Sequence, residues 1–262
     1  MICIFTALTD GENQGMIGKK IITFKAVEST NSTAAELISS QDVEEGTIII
    51  TSFQKHGKGQ EGNFWESESE KNLLLSVIIK PEFLKPEKQF VLNKMVSLAV
   101  AEFVQRYAPK DSVKIKWPND IYVGDQKIAG ILINNFIQGN VLSTSILGIG
   151  ININQRVFTS NAPNPVSLVH FMKGDLDLKQ ALKLLCDSLN HWYSRMELGL
   201  FNPIDKKYFS LLYRHEVYHS YIIFNQKVIA KIVGISEYGR LQLKGKNGEM
   251  YDCELKEVEF VI

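Results

Sequence analysis

The residues with the most chemical promise lie in one short stretch. Lys114-Ile115-Lys116-Trp117-Pro118-Asn119-Asp120 runs into Ile121-Tyr122 and, past the turn signal Gly124-Asp125, into Lys127-Ile128-Ala129-Gly130-Ile131-Leu132. Charged and apolar residues alternate here, which is the period of a strand with one polar face. Pro118 has no N–H and keeps Trp117 extended, so a strand edge rather than a helix is expected at the join. Strand neighbours can set the Asp120 carboxylate beside the Lys127 ammonium at one site. For such a pair, an exposed salt bridge is the common alternative.

Two other motifs carry a chemical suggestion that their context weakens. Gly57-Lys58-Gly59-Gln60-Glu61-Gly62 fits GxGxxG, but Asn63-Phe64-Trp65-Glu66-Ser67-Glu68 reads as a loop, whereas a dinucleotide fingerprint must open a helix. Glycines beside Lys58 still allow a backbone cradle for an anion, and a flexible surface loop is the alternative. His215-Glu216-Val217-Tyr218-His219 spells HExxH, a zinc motif that also needs a helix. The β-like run Tyr221-Ile222-Ile223-Phe224 follows at once, so no structural metal site is expected.

The elements that must position these residues can be read in outline. Strands are expected at 21–27, 47–53, 72–80, 113–116, 121–123, 127–134 and 141–151, the last two meeting across Gln138-Gly139-Asn140. Helical spacing predicts a short helix capped by Ser29 or Thr30, a long one over 86–107, and another over 179–198 with Leu182, Leu185, Leu189, Trp192 and Met196 on one face. After about residue 214 the runs shorten (227–233, 240–244, 250–255, 258–261), and Lys246-Asn247-Gly248 is a hairpin cue. Such a pattern is α+β: residues 1–20 as an N-terminal extension, a mixed-sheet domain over 21–214, and a small β-barrel over 215–262. Met16 offers a second start, which would make residues 1–15 a coding extension; a loose terminus is the alternative.

Composition removes whole classes of function. Apolar residues at 45% and charged residues at 22% leave ample core for a globular fold, and a formal net charge of +0 gives no global field toward nucleic acid or anionic membrane. No apolar run approaches the roughly 20 residues of a membrane helix. The N-terminus lacks a secretory pattern, and Cys3, Cys186 and Cys253 are too scattered for a disulfide framework. A cytoplasmic protein with reduced thiols is expected.

The order of the motifs adds what none of them gives alone. KWPNDIY…KIAGIL resembles the signature of biotin–protein ligases. Glu28-Ser29-Thr30-Asn31 is similar to that family's early STN motif. Gln54-Lys55-His56-Gly57-Lys58-Gly59 with Trp65, Asn72-Leu73 and Ser76 resembles its biotin-binding loop and following strand, and Gly148-Ile149-Gly150-Ile151-Asn152-Ile153-Asn154 its GIGIN strand end. The resemblance extends over about residues 21–262.

It implies a class II aminoacyl-tRNA-synthetase-like (biotin–lipoate ligase) catalytic fold with a C-terminal SH3-like domain, and an enzyme that activates biotin with ATP and Mg²⁺. Biotin would then pass to a lysine of a biotin carboxyl carrier protein or carboxylase domain, the reaction of a biotin–[acetyl-CoA-carboxylase] ligase. By the resemblance, Ser29, Thr30, Asn31 and Gln54 hold the neutral ureido ring. Lys58, Gly59 and Gln60 lie along the carboxylate and α-phosphate, Lys127 sits on the reacting oxygens, and the Gly130 backbone closes the pocket. Trp65, Lys116, Asn119 and Asn152 join Lys58, Gln60 and Lys127 around the nucleotide. Lys127, Asp120 and Lys58 are the catalytic candidates, with Asp120 orienting the incoming lysine or a metal.

One departure matters. Where many family members carry arginines, this chain has Lys58, Gln60 and Asn63, and glutamine cannot copy a bidentate grip on phosphate. The helix-turn-helix of the repressor-type members is not found ahead of the first strand, so DNA binding is not expected; a homodimer stays open. Lipoate–protein ligase is the alternative of the same fold, though its RRxxGGG and HD signatures are not found; a non-catalytic holder of biotin or its adenylate is the other. Shielding of a reactive adenylate implies that the loops 54–71 and 156–165 order when ligand binds.

Overall fold

The computed structural model describes residues 3–6, 15–160 and 163–261. Its larger sheet has eight strands: β1 (Cys3–Thr6), β2 (Lys20–Phe24), β3 (Ile48–Thr51), β4 (Leu73–Ile79), β5 (Val113–Lys116), β6 (Asp120–Val123), β7 (Gln126–Gln138) and β8 (Val141–Ile151). They lie in the order β1-β2-β3-β4-β8-β7-β6-β5, with β2–β3 parallel and the other pairs antiparallel. The expected mixed sheet is therefore present. The strand at 3–6 falls within the stretch read as an extension.

β4 explains the layering. Its sequence LLLSVII is buried throughout, so it must be covered on both faces. Leu73, Leu75, Val77 and Ile79 point into the main core with α2 (Phe90–Val104) and α3 (Leu178–Glu197). Ile78 packs instead with Ala34 of α1 (Thr30–Ser40), Ile49 and Ile146 on the opposite face. That second face is only partly covered by α1, and the uncovered part becomes the site.

The α3 stripe reads as expected, with Leu182, Leu185, Leu189, Trp192 and Met196 buried and Asp177 capping through a bond from Gln180 N–H at 2.8 Å. Ser29 does occupy the N-cap position of α1, but its side chain makes no capping bond. The Trp117-Pro118-Asn119 segment is not a strand edge. It is the turn joining β5 to β6, and the Trp117–Pro118 bond is cis. A further helix, α4 (Phe201–Leu211), lies where no element was read; Ile204, Tyr208 and Leu211 are its buried stripe.

The C-terminal sheet has five antiparallel strands: β9 (His219–Ile223), β10 (Gln226–Ile235), β11 (Leu241–Gly245), β12 (Met250–Cys253) and β13 (Val258–Phe260), in the order β12-β11-β10-β9-β13. Gly248 takes φ +86° in the Asn247-Gly248 hairpin, which only a residue without Cβ adopts at low cost. His215-Glu216-Val217-Tyr218 is a turn between α4 and β9 rather than a helix, and Glu216 pairs with Lys231. Among the described residues no group of three or more His, Cys, Asp or Glu side chains could hold a metal ion, and no helix is long and apolar enough to cross a membrane. Cys186 and Cys253 are free and buried.

Candidate functional site

A cleft of 660 Å³ opens on the uncovered face of the sheet. Its lining includes Ser29, Thr30, Asn31, Gln54, Lys58, Gly59, Gln60, Trp65, Lys116, Asn119, Asp120, Lys127 and Gly130, so the structure brings together residues more than a hundred positions apart in sequence. Asn152 is the exception. It follows β8, and its amide turns away to donate to the Val166 carbonyl at 3.2 Å.

One end of the cleft is neutral and dense in hydrogen bonds. Gln54 Oε1 accepts from Thr30 N at 2.8 Å and lies 3.2 Å from Thr30 Oγ1. The Ser76 hydroxyl sits 2.6 Å from Asn31 Oδ1 and 2.8 Å from Thr30 Oγ1. An amide oxygen can only accept, so the single Ser76 proton goes to Asn31. Both Asn31 N–H groups are used as well, on Leu132 O at 3.0 Å and Asn134 Oδ1 at 2.7 Å. What Asn31 can offer a ligand is therefore one acceptor lone pair. Gly148 makes this possible, because any Cβ there would collide with the Asn31 amide.

The other end is cationic. Lys127 Nζ is 2.8 Å from Asp120 Oδ1, with both side chains partly buried. Lys116 lies across the β5–β6 ladder from the same Asp120, and its ammonium stands 5.3 Å from the Tyr122 ring and 4.9 Å from the Phe260 ring. Burial lowers the Lys116 pKa; Asp120 opposes that, while Lys127 and Arg214 add to it. Lysines 58, 116, 127 and 256 line the cleft against only two carboxylates, Asp120 and Glu259. In a chain of zero formal net charge this concentration favours an anion locally.

The glycine-rich loop forms the wall between the two ends. Gly59 N–H donates to Asn63 O at 2.7 Å and Trp65 N–H to Gly57 O at 2.9 Å, closing the loop on itself around a 3-10 turn at Gln60–Gly62. The Trp65 indole then lies flat against the paired glycines 130 and 150, where a Cβ would come within 2.9 Å and 2.7 Å of the ring. Its Nε1 is buried and has no hydrogen-bond partner among the described residues. Lys58 Nζ donates to the Ser32 hydroxyl at 2.9 Å, on the first turn of α1 rather than toward Lys127.

Sequence reasoning missed the contribution of the C-terminal sheet. Leu255, Lys256, Val258, Glu259 and Phe260 complete the lining, and Trp117 Nε1 donates to the Gly239 carbonyl at 2.9 Å. No local pattern marks these residues, because they act through a contact more than a hundred residues away.

Residues 23–152, about half of the chain, match the family described as Biotin/lipoate A/B protein ligase family. The "Bifunctional ligase/repressor BirA" of Bacillus subtilis is 30% identical over 141 residues, which cover 54% of this chain and 42% of that protein. The "Biotin--protein ligase" of Homo sapiens is 33% identical over 141 residues, 51% of this chain and 19% of that protein. The chain thus aligns with less than half the length of these curated relatives. Among solved structures, the biotin protein ligase from Aquifex aeolicus in complex with biotin and ATP superposes with a TM-score of 0.73 at 23% identity, covering 92% of this chain and 99% of that one. At such identity the superposition speaks for the fold. Fold, motif order and family match converge: this chain belongs to the biotin/lipoate A/B protein ligase family.

Proposed function

We propose that the chain is an ATP-dependent biotin–protein ligase. The observation that carries this reading is a single cleft whose neutral end, lined by Thr30, Asn31 and Gln54 with Ser76 buried behind them, is continuous with a cationic end built from Lys127, Lys116 and Asp120. A ureido ring needs donors and acceptors without charge, and the first end supplies them. A carboxylate approaching an α-phosphate needs positive charge, and the second end supplies that.

In the first step a biotin carboxylate oxygen attacks the α-phosphorus of ATP, the bond to pyrophosphate breaks, and biotinyl-5′-AMP forms. Lys127 neutralises the two anions as they meet, and Lys58 swings from Ser32 to assist. In the second step a lysine amine of a carrier domain attacks the carbonyl carbon, AMP leaves, and the amine loses a proton toward Asp120. No protein nucleophile is required. Asp120 and Glu259 are the lining carboxylates that would hold a Mg²⁺ ion brought by the triphosphate, which would supply positive charge to the departing pyrophosphate. Residues 21–214 form the catalytic unit in this reading, and 215–262 an SH3-like unit that closes one side of it.

The test is ATP- and biotin-dependent labelling of a biotin carboxyl carrier domain, with pyrophosphate measured in parallel. Labelling accompanied by pyrophosphate supports the reading. Absence of both, with biotin, ATP and magnesium present, overturns it.

A further inference from the structure

The loop that carries Trp65 is tied down by a carboxylate that the reaction above does not use. Glu66 Oε1 accepts the Thr159 N–H at 2.8 Å and the Thr159 hydroxyl at 3.0 Å, and Oε2 accepts the Ser160 N–H at 2.9 Å. Burial raises the Glu66 pKa, but the Ser160 and Thr159 donors outweigh it and hold the carboxyl below the usual glutamate range. An ionised carboxylate is therefore the form that makes these bonds.

Both ends of this connection lead to Lys127. On one side Glu66 follows Trp65, whose ring lies against Gly130 and Gly150 with the Lys127 ammonium 5.6 Å from it. On the other side, beyond Ser160, Asn164 O accepts the Lys127 N–H at 2.8 Å and Val166 N–H donates to the Lys127 carbonyl at 2.9 Å. A second tie braces the same pair of loops, since Gln155 Oε1 accepts from Glu68 N at 2.9 Å and from Asn72 Nδ2 at 2.5 Å. Meanwhile Gln60 and Asn63 leave Lys58 as the one cation of the Gly57–Gly62 run, so charge on that run does little to retain a bound phosphate.

We propose that Glu66 is a positioning residue which staples the 54–71 loop to the 156–160 segment directly behind Trp65, a wall of the cleft, so that the acyl-adenylate stays for the amine instead of escaping to water. This rests on the function proposed above. The staple adds loop closure to the charge of the lining lysines as a means of retention.

The experiment uses the full chain with Glu66→Ala and Glu66→Gln. Without ligand, hydrogen exchange at the Thr159 and Ser160 amides is expected to quicken by at least about tenfold in Glu66→Ala, because charge-assisted bonds are lost, and by less in Glu66→Gln, which keeps an acceptor oxygen. With biotin, ATP and magnesium, the first turnover of pyrophosphate should stay within about twofold of wild type, since no reacting group is touched. The ratio of pyrophosphate released to carrier labelled should rise by roughly tenfold as adenylate escapes. Unchanged amide exchange, an unchanged ratio, or a collapsed first turnover would each overturn the proposal. A wild type that releases no pyrophosphate overturns the reading of function instead, and the exchange measurement still decides whether the staple exists.

Discussion

Lys127 and Asp120 stand 2.8 Å apart because the β6–β7 ladder slips by one residue. Asp120 faces Gly130 and Ile121 faces Ala129, but Tyr122 faces Lys127, with Ile128 as the extra residue. Regular alternation would send Lys127 to the opposite face; the bulge returns it to the side of Asp120, at the floor of the cleft. Lys127→Ala is expected to slow pyrophosphate formation by on the order of 10²-fold, as for removal of one electrostatic stabiliser. Asp120→Asn should slow carrier labelling more than pyrophosphate formation. Single-turnover measurement of both steps separates these effects.

Gly148→Ala should damage the neutral end alone. The new Cβ would displace the Asn31 amide, and with it the Ser76 contact. Biotin affinity is expected to fall by at least about tenfold, or roughly 1.4 kcal/mol. Calorimetric titration with biotin checks this, and ATP binding measured alone should change little.

Ser76→Ala removes the proton donated to Asn31 from a fully buried position on β4. A buried acceptor left without its donor costs about 1–3 kcal/mol. Denaturant unfolding should show a stability loss in that range, together with weaker biotin binding. No change in either would mean that the Ser76 contact is incidental.

Phe260→Ala tests whether the C-terminal sheet shapes the site. Phe260 lies against the Lys116 ammonium at 4.9 Å and stacks on Tyr213 at 6.3 Å. Losing a partly desolvated cation–π contact costs about 0.5–2 kcal/mol. The expected result is a raised KM for ATP with biotin affinity kept. Lys116, whose ammonium burial disfavours, should recover a pKa nearer that of an ordinary lysine once water reaches it.

The buried thiols should be inert. Burial pushes Cys186 up to about 12 and Cys253 up to about 11, with nearby carboxylates adding to the effect. The thiolate is the reactive form, so neither residue should be alkylated at pH 8 while the protein is folded. Peptide mapping after iodoacetamide treatment, with and without denaturant, provides the check.

Much of this molecule was legible in the chain itself, because the relevant signals are local. Alternation marked β5, β6 and β7, the 3.6-residue stripe marked α3, and Asn247-Gly248 marked a hairpin. The ordered motifs pointed to a set of residues of which only Asn152 lies outside the cleft lining. Helix α4 had a readable stripe at Ile204, Tyr208 and Leu211, but its short span between irregular segments hid it. What tertiary structure decided depends on contacts between distant segments. The bulge at Ile128 sets which face Lys127 serves, Gly148 fixes where Asn31 can sit, and Phe260 reaches the cleft from the last strand. The Glu66 bonds to Thr159 and Ser160 join positions more than ninety residues apart. Periodicity and motif order record what each residue does beside its neighbours in the chain; which side chains meet across a sheet is settled only when its register and the packing around it are fixed.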